Sequence, residues 1–263
     1  KDEESKTVTR TINYIDSVTG EAIPTELEPS VTQKATLTRS VIYDNKGNKI
    51  GYGTVSEDGT SYTLDDSWKV ADQTWTKQDS ADLSDYGYTA PDRASVAAVT
   101  VDGDTTSVTE KVYYGHQTVP VTPENPGTPG KPINPKGNVD YPDGVSKDDL
   151  TSTVKRTINY VDEDGNKVDG APDGTSSYVQ TAEFTRTAIV DKVTGKILGY
   201  DTDNDGKVDT ESADRAWTPT EKTLEAVKSA DPSSVGYDKV DKSTVESLLV
   251  TPSQAVTPVT VTY

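Results

Sequence analysis

The sequence predicts a mainly β protein, α+β at most, built as two tandem modules joined by a Pro/Gly-rich linker. Three observations carry this. The chain repeats itself: VTRTINYID at 8–16 returns as VKRTINYVD at 154–162, and LTRSVIYDNKGNKIGY at 37–52 as FTRTAIVDKVTGKILGY at 184–200. Residues 68–114 then align without a gap on 217–263, at a constant offset of 149. Each copy has the size of a small domain rather than a solenoid unit. The patterning is mostly period two, and residues 120–137 (PVTPENPGTPGKPINPKG) are rich in Pro and Gly. We therefore expect a first module at 1–118, a linker at 119–142 and a second module at 143–263. Each module carries a net charge of −9 and the linker none, so the acidity is a solvated coat.

The elements follow in order. In TVTRTINYI (7–15), Val8, Arg10, Ile12 and Tyr14 alternate with Thr and Asn, which suits a half-buried strand. Asn45–Gly47 and Thr194–Gly195 mark turns between strands, and Asp164–Gly165 marks a hairpin. The linker should be extended and partly polyproline II, reaching roughly 55 Å at about 3.1 Å per residue. VTEKVYY (108–114) and VTPVTVTY (256–263) are final strands, the latter an edge or bulge because of Pro258. A capping box at Ser243–Glu246 before Leu248 and Leu249 is the main helical signal, with 92–99 its weaker counterpart. Large aliphatics are few, so the core should be lean, held by strand pairing and small clusters that use Tyr.

Composition excludes several functions. The chain has 263 residues, 31% of them hydrophobic, and a net charge of −18. That charge argues against nucleic acid and anionic lipid as partners. No run of about 20 apolar residues exists, so no membrane insertion is expected. Without Cys there are no disulfides, thiolate nucleophiles or zinc knuckles, and one His rules out multi-His metal sites. The chain has no Met, even at position 1, so we read it as a fragment whose signal and anchor lie elsewhere. We expect a monomer.

The string V-x-R-T-I-N-Y-[IV]-D, the [LF]-T-R strand, the turn, the Trp ahead of Gly-Tyr and the closing strand resemble the mucin-binding (MucBP/Mub) repeats of surface adhesins from lactobacilli and related Gram-positive bacteria. The resemblance covers most of 7–115 and 151–263. It implies β-grasp, ubiquitin-like modules on a wall-anchored, extracellular stalk that contacts host mucus glycoproteins. Some relatives are associated with immunoglobulin binding. It implies no catalytic residues and offers no glycan-contact motif to carry over, so ligand-binding residues are unknown at this level.

One string looks like a metal site. Asp201, Asp203, Asp205, Gly206, Lys207 and Asp209 follow the spacing of a calcium loop, with the Lys207 carbonyl as a ligand. Ser212 stands where the bidentate Glu should be, and the competing reading is an acidic solvated turn. Ca2+ is thus an optional cofactor of the second repeat, not a required one. Trp68 and Trp217 occupy equivalent positions, which favours a framework role over a sugar platform; Trp75 aligns with Leu224 and should be buried. Tyr86, Tyr88, Tyr113 and Tyr114 are candidate surface contacts, and His116 is read as an exposed linker residue. Asn13 and Asn159, repeated inside strands, raise the idea of Lys–Asn isopeptide cross-links against the simpler reading of ordinary hydrogen bonding. No carboxylate sits in a strongly apolar context, so a glycosidase is not supported. The reading is a non-catalytic module binding mucin multivalently, through glycans. The alternatives are a stalk or spacer repeat and an immunoglobulin-type protein-binding module.

Overall fold

The computed structural model describes residues 2–71 and 73–263. The chain divides into two units, Lys1–Gln117 and Thr118–Tyr263. In the first, strand Glu3–Asp16 is central. It pairs antiparallel with Val31–Tyr43, from Glu3 opposite Ser40 to Ile12 opposite Val31. On its other side it pairs parallel with Val108–Tyr114, from Arg10 opposite Val108 to Asp16 opposite Tyr114. Lys49–Val55 and Tyr62–Leu64 extend the sheet to five strands.

The second unit repeats the plan. Strand Thr151–Val161 lies between antiparallel Ser177–Thr185 and parallel Val259–Thr262. Pro258 sits just before that edge strand, where no ladder N–H is demanded of it. Parallel pairing of the first and last strands of a module agrees with the β-grasp arrangement. The expected alternation is seen directly: Val8, Arg10, Ile12, Tyr14 and Asp16 are buried, and the residues between them are partly exposed.

The helical expectation fails. Thr244–Val245 and Leu248–Val250 are short strands, as is Ser95–Val96 in the matching stretch, and among the described residues helical turns are 3-10 only. Val245 and Val250 are needed by the core, and an extended chain delivers both. Burial therefore overrides a local capping signal.

The lean core is present as small clusters. Val8, Ala35, Leu37, Trp75 and Val101 form one; Val154, Ala182, Phe184, Leu224 and Val250 form its counterpart, position for position. Replacing Trp75 and Leu37 by Leu224 and Phe184 moves the bulk from one side of the cluster to the other, as close packing requires.

The free linker is corrected by the structure. Thr118–Val121 is a strand, paired antiparallel with Thr187–Asp191 from Thr118 opposite Asp191 to Val121 opposite Ala188. Val121, Val145 and Leu150 are buried with Ala188, Val190 and Tyr200, and Ile133 and Tyr141 pack on them. Gly127 N–H donates to the Val145 carbonyl and Tyr141 N–H to that of Lys131. Pro120 is tolerated because this strand lies at a sheet edge. The apolar residues scattered among the prolines had a surface to cover, and that decided their conformation.

Candidate functional site

The metal-like string lies where strand Ile197–Asp201 ends. The chain leaves the strand, turns through 202–208 and returns, with Tyr200 N–H donating to the Thr210 carbonyl and Asp209 N–H to that of Tyr200, each at 2.8 Å. Gly199 permits this approach, since a Cβ there would lie 2.7 Å from the Thr210 carbonyl oxygen. Asp201 is 6% exposed and organises the turn. Its Oδ1 accepts from Asp203 N (3.2 Å) and Asn204 N (2.9 Å), and its Oδ2 from Gly206 N (2.7 Å). Burial opposes the charged form of Asp201, but those N–H donors outweigh it and hold its pKa below the usual range.

The structure brings Asp201, Asp203, Asp205 and Asp209 together, with one oxygen of each within 4.8 Å of the others. Desolvation, together with Asp205 and Asp201, pushes the Asp203 carboxyl up to about 6. Thr202 N–H caps Asp209 Oδ2 at 2.7 Å. Lys207 contributes its N–H to Asp205 Oδ1 at 2.8 Å. Glu211 lies outside the four-residue cluster. These are hard oxygen donors suited to Ca2+, short of the strong twelfth-position ligand. In the first unit Ser56–Ser61 makes a plain turn, with Asp58 held down to about 2 by the Ser56 and Thr60 hydroxyls.

The tryptophans belong to a repeated stack. The Arg39 guanidinium lies 3.6 Å from the Tyr52 ring and 4.3 Å from the Trp68 ring, and bonds Glu4 at 3.0 Å. Arg186 lies 4.2 Å from the Trp217 ring and 5.5 Å from that of Tyr200, and donates to the Asp149 and Ala213 carbonyls, both at 2.9 Å. Both indoles are half-buried with a cation on the ring, as a framework role requires and an open sugar platform does not. Trp75 is buried, as its alignment with Leu224 predicts.

Two readings change, and a third resolves to its simpler form. His116 is not exposed: its side chain is 3% exposed, with Nε2 2.6 Å from Asp16 Oδ2 and the ring edge-on to Tyr88. Tyr88 and Tyr114 are core residues, which leaves Tyr113 at the surface and Tyr86 partly exposed. Asn13 and Asn159 each accept a hydrogen bond from a serine hydroxyl, Ser30 at 3.0 Å and Ser177 at 3.1 Å, which is the ordinary alternative to a cross-link.

The pair that sequence reasoning missed is Arg10 and Arg156, 1% and 3% exposed. Arg10 donates to Gln33 Oε1 and to the Ala97 and Thr76 carbonyls. Arg156 repeats this with Gln180 and the Glu246 and Glu225 carbonyls. Burial lowers the Arg156 pKa, yet the fork ties the short ladders to the main sheet. The signal was available: a cation on the inward face of a strand, in both copies.

The family model for the Muc B2-like domain matches residues 1–118 and 145–263. Among solved structures, Mub-RV is 19% identical, with 97% of each chain covered and a TM-score of 0.46. The type 2 repeat of the mucus binding protein MUB from Lactobacillus reuteri is 14% identical, covering 97% of this chain and 98% of that one, with a TM-score of 0.37. The mucin-binding domain of Spr1345 from Streptococcus pneumoniae is 24% identical over 44% of this chain and 94% of its own, with a TM-score of 0.33. No curated protein matches the chain.

Proposed function

Because the chain belongs to the family of Muc B2-like domains and carries two copies, we propose that it is a non-catalytic adhesion segment that holds mucus glycoproteins through several weak contacts. The observation that carries this is the family match over both copies. The solved relatives described as mucin-binding or mucus-binding point the same way. On this reading the modules act outside the cell, held at the bacterial wall through other parts of the parent protein. Among the described residues no helix is long and apolar enough to cross a membrane. The paired modules favour multivalency, because a second module engages at the effective concentration set by the first.

Ca2+ belongs to the same proposal as an optional ligand of the 201–209 loop, supported by the four convergent carboxylates. Its affinity should fall in the weak extracellular class, about 10⁻⁴–10⁻³ M, since the strong ligand is missing. The test is retention of residues 1–263 on immobilised mucin, native and deglycosylated, with Ca2+ or a chelator. Saturable binding lost on deglycosylation supports the adhesion reading. Binding that survives deglycosylation favours a protein ligand such as an immunoglobulin domain, and no binding under any condition favours a spacer.

A further inference from the structure

The second unit contains a polar cleft of about 450 Å3. One wall is the Thr122–Glu124 segment, carried there by the Thr118–Val121 strand. Thr185–Thr187, the Asp201–Asn204 turn and Thr218 complete the lining. We propose that this cleft, with the Arg186 guanidinium at its base, binds an uncharged saccharide unit such as a hexose or N-acetylhexosamine. The proposal rests on the adhesion reading and names the ligand class and place that reading leaves open.

Comparison of the two copies supplies the argument. Arg39 and Arg186 are equivalent and stack on equivalent aromatic rings. Arg39 is neutralised by Glu4 at 3.0 Å. The position of Glu4 in the second copy is Leu150, a fully buried core residue. Among the described residues Arg186 has no carboxylate within ion-pair distance, and its bonds to the Asp149 and Ala213 carbonyls use two of the five guanidinium N–H donors. A half-buried cation without a counter-ion, facing a cleft, asks for acceptors from a ligand.

The remaining lining decides the class. Thr185, Thr187 and Thr202 present hydroxyls, Asn204 an amide and Glu124 an exposed carboxylate. These groups give and accept hydrogen bonds in the mixture that vicinal sugar hydroxyls require. Glu124, Asp201 and Asp203 outnumber the single guanidinium. That excess of negative charge works against an acidic sugar and favours a neutral one. A small, open, polar site of this kind should hold one residue weakly, at about millimolar Kd.

The experiment is NMR titration of isotope-labelled residues 1–263 with galactose, N-acetylgalactosamine and N-acetylglucosamine, with N-acetylneuraminic acid as charged control. The expected result is saturable shifts of Thr187, Thr202 and Asn204 with at least one neutral sugar. Thr187→Val with Glu124→Ala removes two ligand contacts without disturbing packing and should weaken binding at least fivefold. Arg186→Gln should abolish it, while Arg39→Gln in the first module should leave it unchanged. The proposal fails if neutral sugars give no shifts in the cleft, if shifts lie elsewhere, if the double variant binds as tightly as the parent, or if the charged sugar binds best. Retention of the same protein on mucin is read separately. Retention without cleft shifts overturns the cleft and spares the adhesion reading; cleft shifts without retention do the reverse.

Discussion

Arg10 shows what a single position does in this fold. A strand that alternates Val8, Arg10, Ile12 and Tyr14 places a cation in the core, where Gln33, Thr76 and Ala97 receive it. Removing it takes donors from Gln33 Oε1 and the Ala97 carbonyl, while the Thr76 carbonyl keeps Gln33 Nε2 and Gln78 Nε2, and it opens a gap on the inward face of the strand. Arg10→Met should destabilise the first module by roughly 3 kcal/mol, and Arg156→Met the second by a similar amount. Urea unfolding checks this; a loss below about 0.5 kcal/mol would show that the fork is dispensable. Asp203 makes a different prediction. Its folded pKa of about 6 lies above its ordinary value of 3.8, so the folded state holds that proton more tightly. The stability it confers is fully present below the unfolded pKa and is lost as pH rises through 6. A cation bound to the loop competes with that proton, so calcium affinity should fall about tenfold per pH unit below 6. Calorimetric titration at pH 5 and 7 that found equal affinities would contradict this. The burial of Arg10 was legible as period-two alternation, but its partners were not, since Ala97 and Thr76 are remote in sequence and offer only backbone. His116 was misread for a related reason: its partner Asp16 is 100 residues away.

At the scale of elements, the main strands and turns were legible because alternation and Gly-containing turns are local properties. The Ser243–Glu246 capping box misled because helix signals are also local, while Val245 and Val250 are claimed by the core. The linker misled more instructively. A Pro/Gly-rich composition says that a segment cannot make a regular helix; it does not say that the segment has nowhere to dock. Val121, buried against Ala188 and Val190, and Ile133 beside it belong to the second unit. A fragment of residues 118–263 should therefore be more stable than one of 143–263. Removing buried Val121 and partly buried Val119 and Ile133 from the cluster should cost about 4.5 kcal/mol, at about 1.5 kcal/mol per side chain. Thermal unfolding of the two fragments measures the difference; equal melting temperatures would mean that the strand at 118–121 only decorates the module.

For the whole molecule, the net charge of −18 sets the character of binding. Mucus glycoproteins are commonly acidic, so long-range attraction is absent and rising salt should leave binding unchanged or strengthen it. Binding that weakened steeply with salt would point to a cationic partner instead. Family membership was legible from repeated motifs, whereas the proposed cleft was not, because it is assembled from segments near 123, 186 and 203 that only the fold joins. The most direct test is to compare residues 1–117, residues 118–263 and the intact chain on immobilised mucin before and after deglycosylation. The account predicts glycan-dependent binding by the intact chain about 100-fold tighter than by either unit alone. Binding absent from the intact chain, or undiminished when the glycans are removed, would contradict it.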